Sequence, residues 1–140
     1  MWYVDTSVLV ALCTHEDKTT DALKWYADCI GELASAAWCV TEFASAMGLK
    51  QRTGQLTPAQ AQTAWLRFER ICANDLELLP VLAVTFHRAA LLTMDGATAL
   101  RAGDALHLAC ALAAKARGLV TVEGVMAKYA KRLKLKSVSI

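Results

Sequence analysis

A chain of 140 residues with 56% hydrophobic content and a mean hydropathy of +0.33 is long enough to bury a core without metal or disulfide staples, and too apolar for a disordered segment. Its net charge of +2 selects no class of partner, no apolar run approaches the roughly 20 residues that cross a bilayer, and the start MWYVDTS lacks the features of a cleaved leader, so one cytoplasmic domain spanning residues 1–140 with no membrane contact is expected. The five cysteines, Cys13, Cys29, Cys39, Cys72 and Cys110, are odd in number and form no Cys-x-x-Cys pair, which leaves them as small buried apolar residues.

Residues 2–5 read as a strand, aromatic and β-branched until Asp5 interrupts it, and 6–13 as a short helix. Ala22, Leu23, Tyr26 and Ile30 recur at helical spacing, predicting a helix from Thr19 to Ile30 that stops at Gly31. LASAAW, 33–38, is short and unbroken enough for a buried strand, and Thr41 is placed to cap a helix running from Glu42 to about Arg52. Thr57-Pro58 starts the next helix, which runs to about Ala73. LELLPV at 76–81 is a third strand, and 82–94 a helix. After the turn-like MDGATALRAG comes an Ala-rich helix from about Asp104 to Arg117, with Gly118 as its stop. LVTV (119–122), a helix over 123–133 and the terminal KSVSI close the pattern. Strands alternating with helices require crossover connections, and these build an α/β fold: a three-layer α/β/α sandwich around a mostly parallel sheet.

Four carboxylates follow this alternation. Asp5 comes after the first strand, Glu42 after the second, Asp104 at the start of the long helix and Glu123 after the fourth strand. In a parallel sheet these places share one edge, where open α/β sheets put their ligands. Crowded carboxylates raise one another's pKa unless a cation neutralises them, and Mg²⁺ or Mn²⁺ suits oxygen donors. Thr6, Ser7 and Thr121 supply hydroxyls for ligation or supporting hydrogen bonds. Against this stands helix capping, which would account for any one acid near a helix N-terminus. Capping accounts less well for the set, because Glu is not a preferred cap and two of the four are Glu.

In LRAGDALHLACALA, 100–113, Arg101, Asp104 and His107 are spaced by three and would share a flank if the helix begins at Arg101. His107 is read as a hydrogen-bonded histidine at the edge of the core before a direct catalytic group, and Arg101 as a partner for either a carboxylate or a phosphate. KYAKRLKLK, from Lys128 to Lys136, carries five cations and no acid, which fits a solvated face or a phosphate-facing patch equally well.

With these residues in place, VDTSVLVAL, TEFASAM, LRAGDALHLACA and LVTVEGVMAKYAKRLKLKSVSI resemble, in order and spacing, the PIN-domain ribonucleases, most closely the toxins of VapBC-type bacterial toxin-antitoxin pairs. The resemblance spans nearly the whole chain. It implies a PIN-like fold and metal-dependent endoribonuclease activity, with Asp5, Glu42 and Asp104 at the family's acidic positions, RNA as substrate, a cognate antitoxin as inhibitor and a homodimer. On this reading Asp5 and Asp104 hold the Mg²⁺ or Mn²⁺, while Glu42 and Glu123 orient the attacking water, with Thr6, Ser7, Arg101 and Thr121 in support. Phe43 and Met47 are candidates for the apolar surface that meets a partner. One departure stands out: where the family has Thr-x-Asp after the fourth strand, this chain has Thr121-Val122-Glu123.

Two other chemistries begin with a strand ending in Asp. A haloacid-dehalogenase-like phosphatase needs a second acid two residues on, where this chain has Ser7, and a phosphoreceiver domain needs an acidic pair near its first strand that is not evident. A catalytically silent member of the same fold, binding RNA or a protein, remains the alternative.

Overall fold

In the computed structural model, which describes residues 1–140, β1 (Trp2–Val4) lies at the centre of a five-stranded, wholly parallel sheet. Its order is β3-β2-β1-β4-β5, with β2 at Leu33–Ala36, β3 at Leu76–Leu79, β4 at Gly118–Thr121 and β5 at Ser137–Ser139. Seven helices connect the strands: α1 (Thr6–Cys13), α2 (Thr19–Asp28), α3 (Trp38–Arg52), α4 (Pro58–Asn74), α5 (Ala83–Met94), α6 (Ala102–Ala113) and α7 (Gly124–Arg132). The expected three-layer α/β/α arrangement is present. Successive strand residues point to opposite faces, so Val4, Leu33, Leu76 and Val120 join a core with α1–α4, whereas Tyr3, Ala36 and Leu119 join one with α5–α7.

The chain builds outward from β1 to β3 and then returns to β4 and β5 on the other side. Strand order therefore reverses between β1 and β4, and Asp5 and Thr121 stand at the carboxyl ends of that pair. Register there depends on a missing side chain. Trp2 pairs with Gly118, where an added Cβ would sit 2.4 Å from the Trp2 ring and 2.9 Å from the Lys136 carbonyl oxygen.

Several boundaries differ from the sequence reading. β2 ends at Ala36, and α3 begins at Trp38 with Ala37 in helical geometry as its cap. Thr41 therefore sits a turn inside the helix and caps nothing. α2 ends at Asp28, before Gly31, and Ile30 is 89% exposed, so it does not continue the buried face begun by Ala22. α6 runs from Ala102 to Ala113 and stops well before Gly118. Lys115 takes a left-handed conformation (φ 51°) while the Ala116 amide reaches back to the Ala111 carbonyl at 3.0 Å, a Schellman-type ending that no glycine announces. The Thr57-Pro58 signal holds: Thr57 and Gln60 form a reciprocal capping box at 2.9 and 3.1 Å. The cysteines are unpaired, with Cys13, Cys39 and Cys110 buried and the other two half-buried.

Candidate active site

Asp5 occupies the N-cap position of α1 by backbone geometry, yet its side chain makes no capping hydrogen bond. Its carboxylate turns toward the neighbouring strand and is only 4% exposed. Oδ2 accepts hydrogen bonds from Ser7 Oγ at 2.5 Å and Thr121 Oγ1 at 2.9 Å. Thr121 Oγ1 in turn accepts from the Glu123 backbone amide at 2.9 Å, and Ser7 Oγ from the Val122 amide at 3.3 Å. The two hydroxyls named in the sequence thus anchor one oxygen of a buried carboxylate and tie α1 to the end of β4. Oδ1 lies 3.8 Å from His107 Nε2.

Glu42 lies in the second turn of α3, beyond the reach of the helix N-terminus, so capping is not its role. Its Oε2 accepts from Thr6 Oγ1 at 2.6 Å and from His107 Nε2. Its Oε1 abuts Gly103, where a Cβ would lie 2.6 Å away. Burial pushes the Glu42 carboxyl up, but hydrogen bonds from His107, Thr6 and Trp38 and the attraction of the imidazole outweigh it and hold the group below the usual Glu range.

Asp104, half-buried in the first turn of α6, shows the opposite balance. Burial and then the negative charge of Asp5 push its carboxyl above the ordinary Asp range; Glu123 adds to this, while the Arg101 backbone and His107 oppose it. Asp104 is therefore close enough to Asp5, Glu123 and His107 to feel their charge, although no three acidic, histidine or cysteine side chains are drawn together tightly enough to cage an ion. Glu123 is exposed and stands at the N-cap position of α7 without capping it. Arg101 caps α6 by its backbone only; its exposed side chain forms no ion pair with the acids.

His107 is 1% exposed and more deeply integrated than sequence spacing reveals. Its Nδ1 meets the Tyr3 hydroxyl at 2.8 Å, and the Tyr3 oxygen also accepts from the Ala36 amide at 3.0 Å. On the other side Nε2 faces Glu42 and, at 3.0 Å, Thr6 Oγ1. Burial alone would depress its pKa; the hydrogen bond to Glu42 and the charges of Asp5, Glu42 and Asp104 hold it above the normal His range. Tyr3, whose burial raises its own pKa, read only as a core aromatic in the sequence, and no local signal marked it as a polar anchor.

Two other expectations change. Phe43 and Met47, candidates for a partner surface, are 0% and 5% exposed. Spaced by four on the inner face of α3, they fill the core; Phe43 stacks on Phe68 with ring centroids 4.2 Å apart. Exposed apolar side chains instead gather on α5 and just before it: Leu82, Val84, Phe86, Leu91 and Met94. The basic segment lies largely away from the acids. Lys136 and Arg117 stack on Trp2 at the amino end of β1, 5.4 and 5.2 Å from the ring centre, and Lys131, Arg132 and Lys134 precede β5 at that same edge.

A model of the PIN domain family matches residues 2–132, and the chain belongs to that family. Among solved structures it is similar to the Mycobacterium tuberculosis toxin VapC20, described as cleaving the sarcin-ricin loop (TM-score 0.74, 15% identity, 92% of this chain and 95% of that one). It is also similar to Neisseria gonorrhoeae FitAcB (TM-score 0.72, 16% identity, 99% and 97%) and to Rickettsia felis VapBC2 bound to a promoter DNA fragment (TM-score 0.66, 17% identity, 99% and 97%). At these identities the likeness is one of fold. No curated protein sequence matches the chain.

Proposed function

We propose that this PIN-domain protein is a Mg²⁺- or Mn²⁺-dependent endoribonuclease, the toxin of a toxin-antitoxin pair, with Asp5 and Asp104 holding the cation. The observation that carries the reading is the gathering of Asp5 and Asp104 about His107 beyond the carboxyl ends of the central strands, where burial and the charge of Asp5 hold the Asp104 carboxyl above the usual Asp range and no Lys or Arg pairs with either acid. Neither Asp5 nor Glu123 is used as a helix cap, and Glu42 lies outside the first turn of its helix, so the capping explanation fails for three of the four acids. Their donor chemistry fits a hard divalent cation.

A cation held by Asp5 and Asp104 would supply charge neutralisation and Lewis acidity to the hydrolysis of an RNA phosphodiester. The chain's own residues prepare the place. Ser7 and Thr121 fix one Asp5 oxygen and so set the direction of the other. Asp104, disfavoured as an anion by its neighbours, gains most from a positive partner. Glu42 and Glu123 are assigned to orienting the water, Glu42 held ionised by its hydrogen bonds and Glu123 standing freely at the rim. Arg101, exposed at the N-terminus of α6 and in no ion pair with the acids, is assigned to meeting a substrate phosphate.

A cognate antitoxin and a second copy of the chain are the partners inferred. Support comes from the exposed apolar residues of α5 and an adjoining groove of about 310 Å³ lined by Trp38, Phe86, Ala89 and Leu106, together with the toxin-antitoxin complexes among the similar folds. No helix is long and apolar enough to cross a membrane, and cytoplasmic residence is inferred from the proposed RNA substrate.

The second reading, a catalytically silent RNA- or protein-binding module, draws on the clasped Glu42 and the Glu at position 123. Incubating the purified protein with structured RNA and Mn²⁺, with and without EDTA, separates the two. Cleavage abolished by EDTA and by Asp5→Asn supports the nuclease. Binding without cleavage supports the silent module.

A further inference from the structure

The Tyr3–His107 pair performs work that packing does not require. Polar groups on β1, β2, α1 and α3 gather at the buried imidazole that α6 carries: the Ala36 amide donates to the Tyr3 oxygen, the Tyr3 hydroxyl meets Nδ1, and Thr6 Oγ1 and His107 Nε2 both meet Glu42 Oε2. With Glu42 ionised, the bond between them requires a proton on Nε2, whether the ring is neutral or charged. The neutral ring takes a hydrogen bond from the Tyr3 hydroxyl on Nδ1, and the charged ring donates one to the Tyr3 oxygen. The Ala36 amide fixes that oxygen from the backbone of β2. Thr6 binds the same Glu42 oxygen, and the bare Cα of Gly103 leaves the other oxygen just enough room. Satisfying the imidazole alone would not require Thr6 and His107 to meet the same Glu42 oxygen with Gly103 against the other.

Resting on the nuclease reading, we infer that His107, braced by Tyr3, is a positioning residue that fixes the rotamer of Glu42 so that one carboxylate oxygen faces the acidic site. It acts through Glu42 and does not touch the reacting phosphate.

The test is a double-mutant cycle on metal-dependent RNA cleavage, paired with proton NMR of the histidine ring. His107→Leu is expected to lower kcat about 10- to 100-fold, the range seen when an outer-shell partner is lost, with KM within about twofold. His107→Gln, whose amide can still donate to Glu42, should recover part of that loss, and Tyr3→Phe should fall between. In a Glu42→Ala background all three changes should cost nothing further. Losses that multiply with Glu42→Ala, or a His107→Gln no better than His107→Leu, overturn the inference. Should His107→Leu fail to fold, His107→Gln and Tyr3→Phe complete the same cycle. NMR reads the claim without activity: an Nε2–H proton shifted far downfield by a charge-assisted bond to a carboxylate should be present in the wild type and in Asp104→Asn and should lose that shift in Glu42→Ala. An unchanged downfield shift in Glu42→Ala overturns the positioning role, whereas the downfield proton in a wild type that cleaves no RNA overturns the nuclease reading alone.

Discussion

Gly103→Ala separates the stability of this fold from the geometry of its site. The added Cβ would lie 2.6 Å from Glu42 Oε1, and 3.8 Å from both Glu42 Cδ and Trp38 Nε1, so only the carboxylate oxygen is in the way. Restoring an ordinary contact requires that oxygen to retreat by about 0.8 Å, which a rotation at the end of a flexible side chain supplies. The structural cost is small, and replacing Gly by Ala in a helix favours the folded state by up to about 1 kcal/mol. The melting temperature should stay within about 3 °C of wild type or rise. Activity should not stay: the retreat moves the Glu42 carboxylate against Thr6 and His107, and a displacement near 1 Å in a reacting constellation costs up to about 100-fold. Thermal melts and initial rates on one RNA substrate decide it. A folded Gly103→Ala protein cleaving at the wild-type rate would refute the claim that Glu42 orientation matters.

Other outcomes follow from the same charges and contacts. Asp104→Asn removes a carboxylate that burial and the charge of Asp5 push toward protonation, so the metal-free variant should be more stable than wild type at neutral pH, read as a higher urea midpoint, while losing cleavage. In metal-free protein, Glu42, with its folded pKa lowered, contributes stability that is present above its unfolded value of about 4.3 and lost as pH falls through the lower folded value. His107, with its folded pKa raised, contributes stability that is full below about 6.5 and lost as pH rises through the higher folded value. Melting temperature should therefore peak between these limits, and Glu42→Gln should flatten both flanks. Phe43→Ala deletes a fully buried ring stacked on Phe68 and should cost about 3–5 kcal/mol, read as a lower urea midpoint.

Much of the fold was legible because its signals are local. Strand runs such as WYV and the LVT of β4, the Thr57-Pro58 start and the order of the four acids need only neighbours a few residues away. The helix start expected at Glu42 falls a turn late because Thr41 looks like a cap, while the true entry at Ala37 depends on β2 ending at Ala36, two residues before the expected end. The end of α6 was missed because Lys115, not a glycine, takes the left-handed position. At the site, the Asp5–Ser7–Thr121 cluster follows from residues that sequence singled out. Tyr3 could not be read this way: its hydroxyl gains meaning only once β1, β2 and α6 bring Ala36 and His107 beside it. Phe43 reads differently for the complementary reason: it follows Glu42 in sequence, but a step of about 100° around the helix turns it into the core.

The most direct measurement is anomalous diffraction from crystals soaked in Mn²⁺. A peak within coordination distance of both the Asp5 and Asp104 carboxylates, and its disappearance in Asp5→Asn, is the result predicted. Well-ordered Asp5 and Asp104 with no peak between them, or a peak unaffected by Asp5→Asn, would contradict the shared metal site.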